Sequence, residues 1–254
     1  MIMKAIAFDG KTAVLTGAAS GMGLLASREL VRLGATVVMC DVDGAALEKA
    51  IDVMDNGGVG KVLPLVVDVR RYADAERAAA LALEKTGRID LVIPFAGGYE
   101  PRMCNSPVPF YEQPVDVLDW GIDVNLKGAI YFARACMPAM VKGGNGGVIC
   151  CLGSTSGFEG DAKGAMYGTA KSGLFTFVKG LALAGAPYGI RAFCVTPGPV
   201  MTRPGMAGMK TLLNTQAETQ ELVDYILYLC SENGRCVTGS NHVMDCGRLT
   251  MKPQ

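Results

Sequence analysis

The sequence predicts an α/β fold in which a doubly wound parallel sheet of about seven strands carries helices on both faces, and three observations predict it. Short runs rich in β-branched residues alternate with longer amphipathic stretches along all 254 residues, the pattern of parallel strands joined by crossover helices. A glycine-rich turn separates the first such run from the first amphipathic stretch. No internal repeat, low-complexity tract or Pro/Ser-rich linker interrupts the alternation, so residues 1–254 read as one domain. In chain order, the strand expected over 12–16 (TAVLT) leads to a helix over 22–33, the strand over 36–40 to a helix over 44–54, and the strand over 62–67 to a helix over 72–86. The strand over 91–95 leads to a long helix over 115–141, which Pro138 is expected to kink or shorten because it lacks an N–H. Strands over 148–152 and 190–195 precede helices over 167–184 and 218–230, and the last strand covers 242–245. Ligands of such sheets bind beyond the carboxyl ends of the strands, so the chemistry is expected in the loops that follow them.

Charge narrows the function. With 24 Lys plus Arg against 24 Asp plus Glu, neither a basic excess nor a basic run is present to favour nucleic acid or an anionic membrane. A small neutral or weakly charged ligand is the expected partner. The apolar runs fall far short of the roughly 20 residues that cross a bilayer. The opening MIMKAIAFDGK has no long apolar stretch or small-residue cleavage pattern, and the expected location is the cytoplasm. Nine cysteines, an odd number with no C-x-x-C pair, fit neither a disulfide framework nor a zinc site and read as reduced, buried, small hydrophobes. Cys104 and Cys236 fall in expected loops. No metal is expected.

After the first strand comes Thr16-Gly17-Ala18-Ala19-Ser20-Gly21-Met22-Gly23. Glycines let a backbone approach a pyrophosphate, and a helix N-terminus offers free N–H groups and a favourable dipole. Gly17, Ser20, Gly21, Met22 and Gly23 are therefore candidate cofactor-binding residues. Asp41, at the end of the second strand, lies where an acidic side chain accepts from adenosine ribose hydroxyls and repels a 2′-phosphate. Neither Ser20 nor Val42 supplies a cation for that phosphate, which favours NAD over NADP. Asp68-Val69, after the third strand, is placed to meet the adenine edge.

Tyr167 and Lys171 stand four apart in Tyr-Gly-Thr-Ala-Lys and share one helix face. An ammonium beside a phenol favours the phenolate, which makes Tyr167 a candidate general acid/base. Ser154, in Gly153-Ser154-Thr155-Ser156-Gly157, lies thirteen residues earlier on the same strand-to-helix connection. His242, the single histidine, and Trp120 read as structural residues.

Taken together, the glycine turn, Ser154, the Tyr167/Lys171 pair and Val124-Asn125-Leu126-Lys127-Gly128 resemble the short-chain dehydrogenase/reductase family, over nearly the whole chain from about Gly10 to Gly247. The resemblance implies a Rossmann-type fold and hydride transfer between nicotinamide and a substrate carbon. Tyr167 would move the hydroxyl proton, Ser154 would bond the oxygen, and Lys171 would bind the nicotinamide ribose. Asn125 would hold a relay water, its place inside a helix marking a local kink. An alkoxide-like transition state needs donors aimed at the developing charge, and Ser154 with Tyr167 supplies two. Ala96-Gly97 and Pro197-Gly198, with Val200 and Thr202, match turns that border the cofactor in the family. Three positions depart from the family pattern. Pro94-Phe95 replaces Asn-Asn, Thr196 replaces Asn, and Asp245-Cys246-Gly247 replaces Asp-Gly-Gly. Pro94 places the sheet hydrogen bonding beside the cofactor pocket in question.

Substrate-facing positions are expected from residues 98–102, 158–166 and the segment after Thr202. Glu159, Asp161 and Lys163 suit a hydroxylated substrate such as a sugar, sugar acid or polyol. The short segment over 203–219, with Met201, Met206 and Met209, instead suits a hydroxysteroid or another bulky ketone. An NAD-sensing scaffold without turnover is the reading of a different class, and the complete Asn125, Ser154, Tyr167, Lys171 set argues against it. The resemblance also implies a homotetramer or dimer built through the helices over 115–141 and 167–184.

Overall fold

A computed structural model describes residues 4–52, 54 and 60–251. Its seven strands are β1 (Thr12–Thr16), β2 (Thr36–Asp41), β3 (Lys61–Val66), β4 (Leu91–Pro94), β5 (Gly147–Leu152), β6 (Ile190–Pro197) and β7 (Asn241–Met244). They pair in the order β3-β2-β1-β4-β5-β6-β7, all in parallel. The order reverses between β1 and β4, which opens a crevice at their carboxyl ends.

Successive strand residues point to opposite faces, and the core divides accordingly. Ala13 and Leu15 of β1 and Phe193 and Val195 of β6 join one layer, with α1 (Gly21–Arg32), α2 (Gly44–Asp52) and α8 (Thr219–Cys230). Val14, Ala192 and Cys194 turn the other way, toward α3 (Tyr72–Thr86), α6 (Gly128–Gly143) and α7 (Ala165–Gly185). Cys40, Cys136, Cys150, Cys151, Cys194 and Cys230 are buried, and burial pushes the Cys136 thiol up to about 12. His242 hydrogen-bonds Ser240 Oγ at 2.8 Å and meets the rings of Phe193 and Tyr225 edge-on, a packing role. Among the described residues no helix is long and apolar enough to cross a membrane.

The long helix expected over 115–141 is two helices, α5 (Val115–Ile122) and α6, joined by a π turn over Asp123–Lys127. Pro138 does not end α6. Pro138 and Arg134, whose carbonyl loses its donor, are both exposed, so the unpaired group falls on the solvent side of the helix, where its cost is small. A short helix, α4 (Glu100–Met103), follows β4 where no element was expected. Val53, within the helix expected over 44–54, lies outside the described residues, as do residues 1–3 of the opening segment.

Candidate active site

The turn between β1 and α1 is shaped by close approach. Gly17 has φ +63°, and a Cβ there would meet the Ala96 backbone at 2.8 Å. A Cβ on Gly23 would overlap the Gly17 carbonyl, so helix and strand pack only through glycines. Gly21, at φ +53°, faces open space. Ser20 makes no side-chain cap, and the first turn of α1 holds no acidic residue. The helix N-terminus thus presents free N–H groups to an anion, a fit for a dinucleotide pyrophosphate. Asp41 is fixed across this turn, its Oδ2 accepting from Ala19 N at 3.0 Å and its Oδ1 from Asp43 N at 3.1 Å. Asp68 pairs with Arg70 at 2.6 Å. That guanidinium bond holds the Asp68 carboxyl below the usual range. Val69 is buried against Gly128 at the start of α6.

Pro94 is accommodated by an early end to one ladder. β4 pairs with β5 only through Leu91 and Val92, so the missing N–H falls beyond the last pair. On the β1 side the bonds continue, with Phe95 N donating to Thr16 O and Ala96 N to Thr16 Oγ1, both at 3.1 Å. Thr196 is fully buried, donates to Asn241 Oδ1 at 2.6 Å and fills the space beneath Gly153. Gly198 packs on Asp245, with a would-be Cβ at 2.7 Å. Val200 is buried and bridges Ala217, whereas Thr202 is exposed and donates its N–H to Val200 O at 2.6 Å.

The third departure carries a backbone cost. Asp245 caps the final turn by accepting from Gly247 N and Leu249 N, each at 2.8 Å, and this places Cys246 at φ +53°. A left-handed side-chain residue costs about 1–2 kcal/mol, of which glycine's chain entropy would return about 0.5–1 kcal/mol. Cys246→Gly is therefore expected to stabilise the protein by about 0.5–1 kcal/mol, raising Tm by roughly 1–4 °C in thermal denaturation. A lower Tm would show that the thiol's packing outweighs the strain.

Around Tyr167 the sequence-predicted residues converge from three elements. Lys171, 5% exposed, donates from Nζ to Leu152 O at 2.7 Å and lies 5.6 Å from the Tyr167 ring centroid. That bond ties α7 to the end of β5, two residues before Ser154. Ser154 Oγ accepts from Ser156 N at 3.2 Å, so its proton remains for donation. Asn125 sits in the π turn, 2% exposed. Its Oδ1 accepts from Gly98 N at 2.8 Å, and its Nδ2 donates to Gly98 O and Gly121 O, each at 2.9 Å. Gly97 lies between this side chain and Lys171, since a Cβ there would stand 2.7 Å from Asn125 Oδ1 and 3.5 Å from Lys171 Nζ.

The three segments expected to face substrate are joined to one another. The Tyr99 ring packs edge-on to Tyr167 with centroids 6.1 Å apart, and its hydroxyl donates to Asp161 Oδ1 at 3.0 Å. Burial, then the Asp161 carboxylate, pushes the Tyr99 phenol up to about 12. Asp161 is itself desolvated, yet the N–H groups of Gly164 and Lys163 and the Tyr99 hydroxyl hold its carboxyl below the usual range. Glu159 pairs with Arg248 at 2.9 Å, and Arg248 also donates to Lys210 O at 3.3 Å. A separate hollow of about 490 Å³, lined by Ser156–Asp161 and by Gly168, Thr169 and Ser172, touches none of Ser154, Tyr167 and Lys171.

Sequence reasoning did not single out Tyr99 or Glu100. No local pattern marks them, because their partners lie more than sixty residues away.

Comparison with known proteins agrees with this geometry. A family model described as short chain dehydrogenase matches residues 11–211. Trans-4-hydroxycyclohexanecarboxylate dehydrogenase of Sinomonas cyclohexanicum is 34% identical over 93% of this chain and 92% of its own. L-rhamnose 1-dehydrogenase (NAD(P)(+)) of Azotobacter vinelandii is 29% identical over 93% of this chain and 96% of its own. The crystal structure of a short-chain type dehydrogenase/reductase from Mycobacterium marinum superposes with a TM-score of 0.87 at 28% identity, covering 96% of each chain. With its sheet order, its glycine turn and its Tyr167/Lys171 helix, the chain belongs to the short-chain dehydrogenase family, oxidoreductases acting on CH–OH groups.

Proposed function

We propose that this chain is a single-domain NAD(H)-dependent oxidoreductase that interconverts a secondary alcohol and a ketone, with a sugar, sugar acid or polyol as substrate. The observation that carries the reading is the bond from Lys171 Nζ to Leu152 O, which brings Tyr167 and Ser154 to one strand end. Tyr167 acts as general acid/base on the substrate hydroxyl. Ser154 donates to the oxygen as negative charge develops there. One of three Lys171 protons is committed to Leu152, which leaves two for the nicotinamide ribose and for a water beside Asn125. Bound NAD would supply the hydride acceptor.

The cofactor would lie along Gly17, Ser20, Gly21, Met22 and Gly23, with Asp41 at the adenosine ribose and Asp68-Val69 at the adenine. Ala96, Gly97, Pro197, Gly198, Val200 and Thr202 would border its nicotinamide end. The carboxylate of Asp41, with no basic residue at Ser20 or Val42, favours NAD over NADP. The Tyr99 hydroxyl and Asp161, joined beside the Tyr167 ring, support a hydroxylated substrate, and the relatives include one named for a sugar and one for a hydroxylated ring carboxylate. We further propose that the enzyme works in the cytoplasm as a homotetramer or dimer through α6 and α7. A monomer in size-exclusion chromatography with light scattering would refute the assembly.

The test is turnover of the purified protein with NAD and NADP against polyols, sugar acids, hydroxycycloalkane carboxylates, hydroxysteroids and simple secondary alcohols, read as absorbance of the reduced cofactor. The expected result is activity on a sugar, sugar acid or polyol, with kcat/KM for NAD at least about tenfold above NADP, the effect of one unpaired charge contact. Turnover confined to hydroxysteroids would replace the polar substrate with a bulky one. NAD binding with silence on every panel would favour the sensor reading.

A further inference from the structure

The helix that carries Tyr167 begins without a cap of its own. The residue at the cap position of α7 is Gly164, which makes no side-chain hydrogen bond to the first turn. Nor is there room for a capping side chain. A Cβ on Gly164 would overlap the Tyr99 ring, with Cδ2 and Cζ both at 2.8 Å. The first N–H groups of a helix need outside acceptors, and here one acceptor arrives from the neighbouring residue of the β4 loop. Glu100 Oε1 accepts from Met166 N at 3.0 Å and from Tyr167 N at 3.2 Å, and Oε2 accepts from Tyr167 N at 3.2 Å. Consecutive residues thus divide one task, with Tyr99 filling the cap's space and Glu100 doing its bonding.

Glu100 is 0% exposed, and among the described residues it forms no ion pair with a Lys or Arg. A buried carboxylate without a cation is costly unless hydrogen bonds and dipoles replace water. The N-terminus of the 21-residue α7 provides both. The site is built around this carboxylate. Gly121 of α5 stands 3.4 Å from its Cγ and Cδ and is 2.7 Å from Met166 Cβ, measured from where a Cβ would be, so a larger residue there would displace the cap. Gly121 also gives its carbonyl to Asn125 Nδ2, and Gly98, two residues before Glu100, holds the other end of the Asn125 amide. The loop carrying Glu100 is therefore pinned on one side by Asn125 and grips the backbone of Tyr167 on the other.

We propose that Glu100 is a positioning residue for Tyr167. It fixes the first turn of α7, and through the backbone N–H of Tyr167 it sets where the phenol stands relative to Ser154 and substrate. The proposal rests on the reading of Tyr167 as the general acid/base.

The test compares full-length wild type, Glu100→Ala, Glu100→Gln and Tyr167→Phe, with the panel substrate of highest kcat/KM. Displacement of a reacting group by about 1 Å costs up to about 100-fold. Glu100→Ala is accordingly expected to lower kcat by roughly 10- to 100-fold, with NADH affinity measured by fluorescence unchanged. Glu100→Gln keeps one acceptor oxygen for both N–H groups and is expected to restore kcat to within about tenfold of wild type. Amide hydrogen exchange needs no substrate. Loss of the cap is expected to speed exchange at Met166 and Tyr167 by about 10- to 100-fold in Glu100→Ala, while core strand amides keep their protection. Wild-type kcat in folded Glu100→Ala, or unchanged exchange at both amides, would overturn the proposal. Where Glu100→Ala does not purify folded, Glu100→Met, which fills the same space without an acceptor oxygen, carries both measurements, and wild-type values in both would overturn it equally. Full activity in Tyr167→Phe, or no turnover by wild type, would instead defeat the underlying reading, and the exchange measurement would still decide whether Glu100 holds the turn.

Discussion

Tyr167→Phe is expected to lower kcat and kcat/KM together by about 100- to 10,000-fold, the range over which a positioned acid/base group contributes. The two constants should fall equally, because the phenol proton matters when charge develops on the substrate oxygen and not when substrate or cofactor binds. Phenylalanine keeps the ring that meets Tyr99 edge-on at 6.1 Å and that lies 5.6 Å from Lys171 Nζ. The bond from Lys171 to Leu152 O does not involve the hydroxyl, so the end of β5 and the Ser154 loop should hold their places. NADH binding, followed by fluorescence, should therefore stay within about twofold of wild type, as expected where no contact energy of consequence is removed. Residual activity above the uncatalysed rate is expected from Ser154 and from the bound geometry alone. A Tyr167→Phe enzyme with wild-type kcat would overturn the assignment of the proton-moving group.

The order of strands and helices was legible because parallel strands covered on both faces and amphipathic helices leave distinct periods in the sequence. The site was legible where one segment carries its own chemistry, as in the Gly17 to Gly23 turn and the Tyr167/Lys171 pair. Three features were legible only in part or not at all. The break between α5 and α6 lies at Asn125, where the family resemblance implied a local kink, and not at Pro138, because a π turn is held by a side-chain bond to Gly121 O, whereas an exposed proline can let water take the freed carbonyl. Pro94 disturbs little, since the β4 to β5 ladder ends at Val92. This follows only from which neighbour each strand edge meets. Glu100 falls in the segment 98–102 expected to face substrate and is instead buried, because the N-terminus of α7, 66 positions away, supplies its donors. The last two depend on partners distant in the chain, which periodicity does not encode, while the first turns on a side-chain bond only four residues back.

Asn125→Ala is expected to cost about 2–4 kcal/mol of stability, because it leaves one buried and two partly buried backbone groups without partners and each orphan costs about 1–3 kcal/mol before water relieves part of it. Those groups are the N–H and carbonyl of Gly98 and the carbonyl of Gly121, and the side chain that satisfies them is 2% exposed. For a domain of this size the loss should appear as a Tm lowered by roughly 5–15 °C. Activity should fall as well, by about 100-fold in kcat at a temperature where the variant is folded, because Gly97 and Gly98 lose the anchor that sets them against Lys171. Asn125→Asp separates the hydrogen-bond explanation from one of volume. Aspartate has nearly the same shape and keeps the acceptor for Gly98 N, but it turns a second acceptor toward the carbonyls of Gly98 and Gly121, where the amide donated both its protons. The isosteric variant should be at least as unstable as Asn125→Ala when ionised. A Tm for Asn125→Asp close to wild type would mean that the amide's donors are dispensable and that the π turn is held by backbone packing alone.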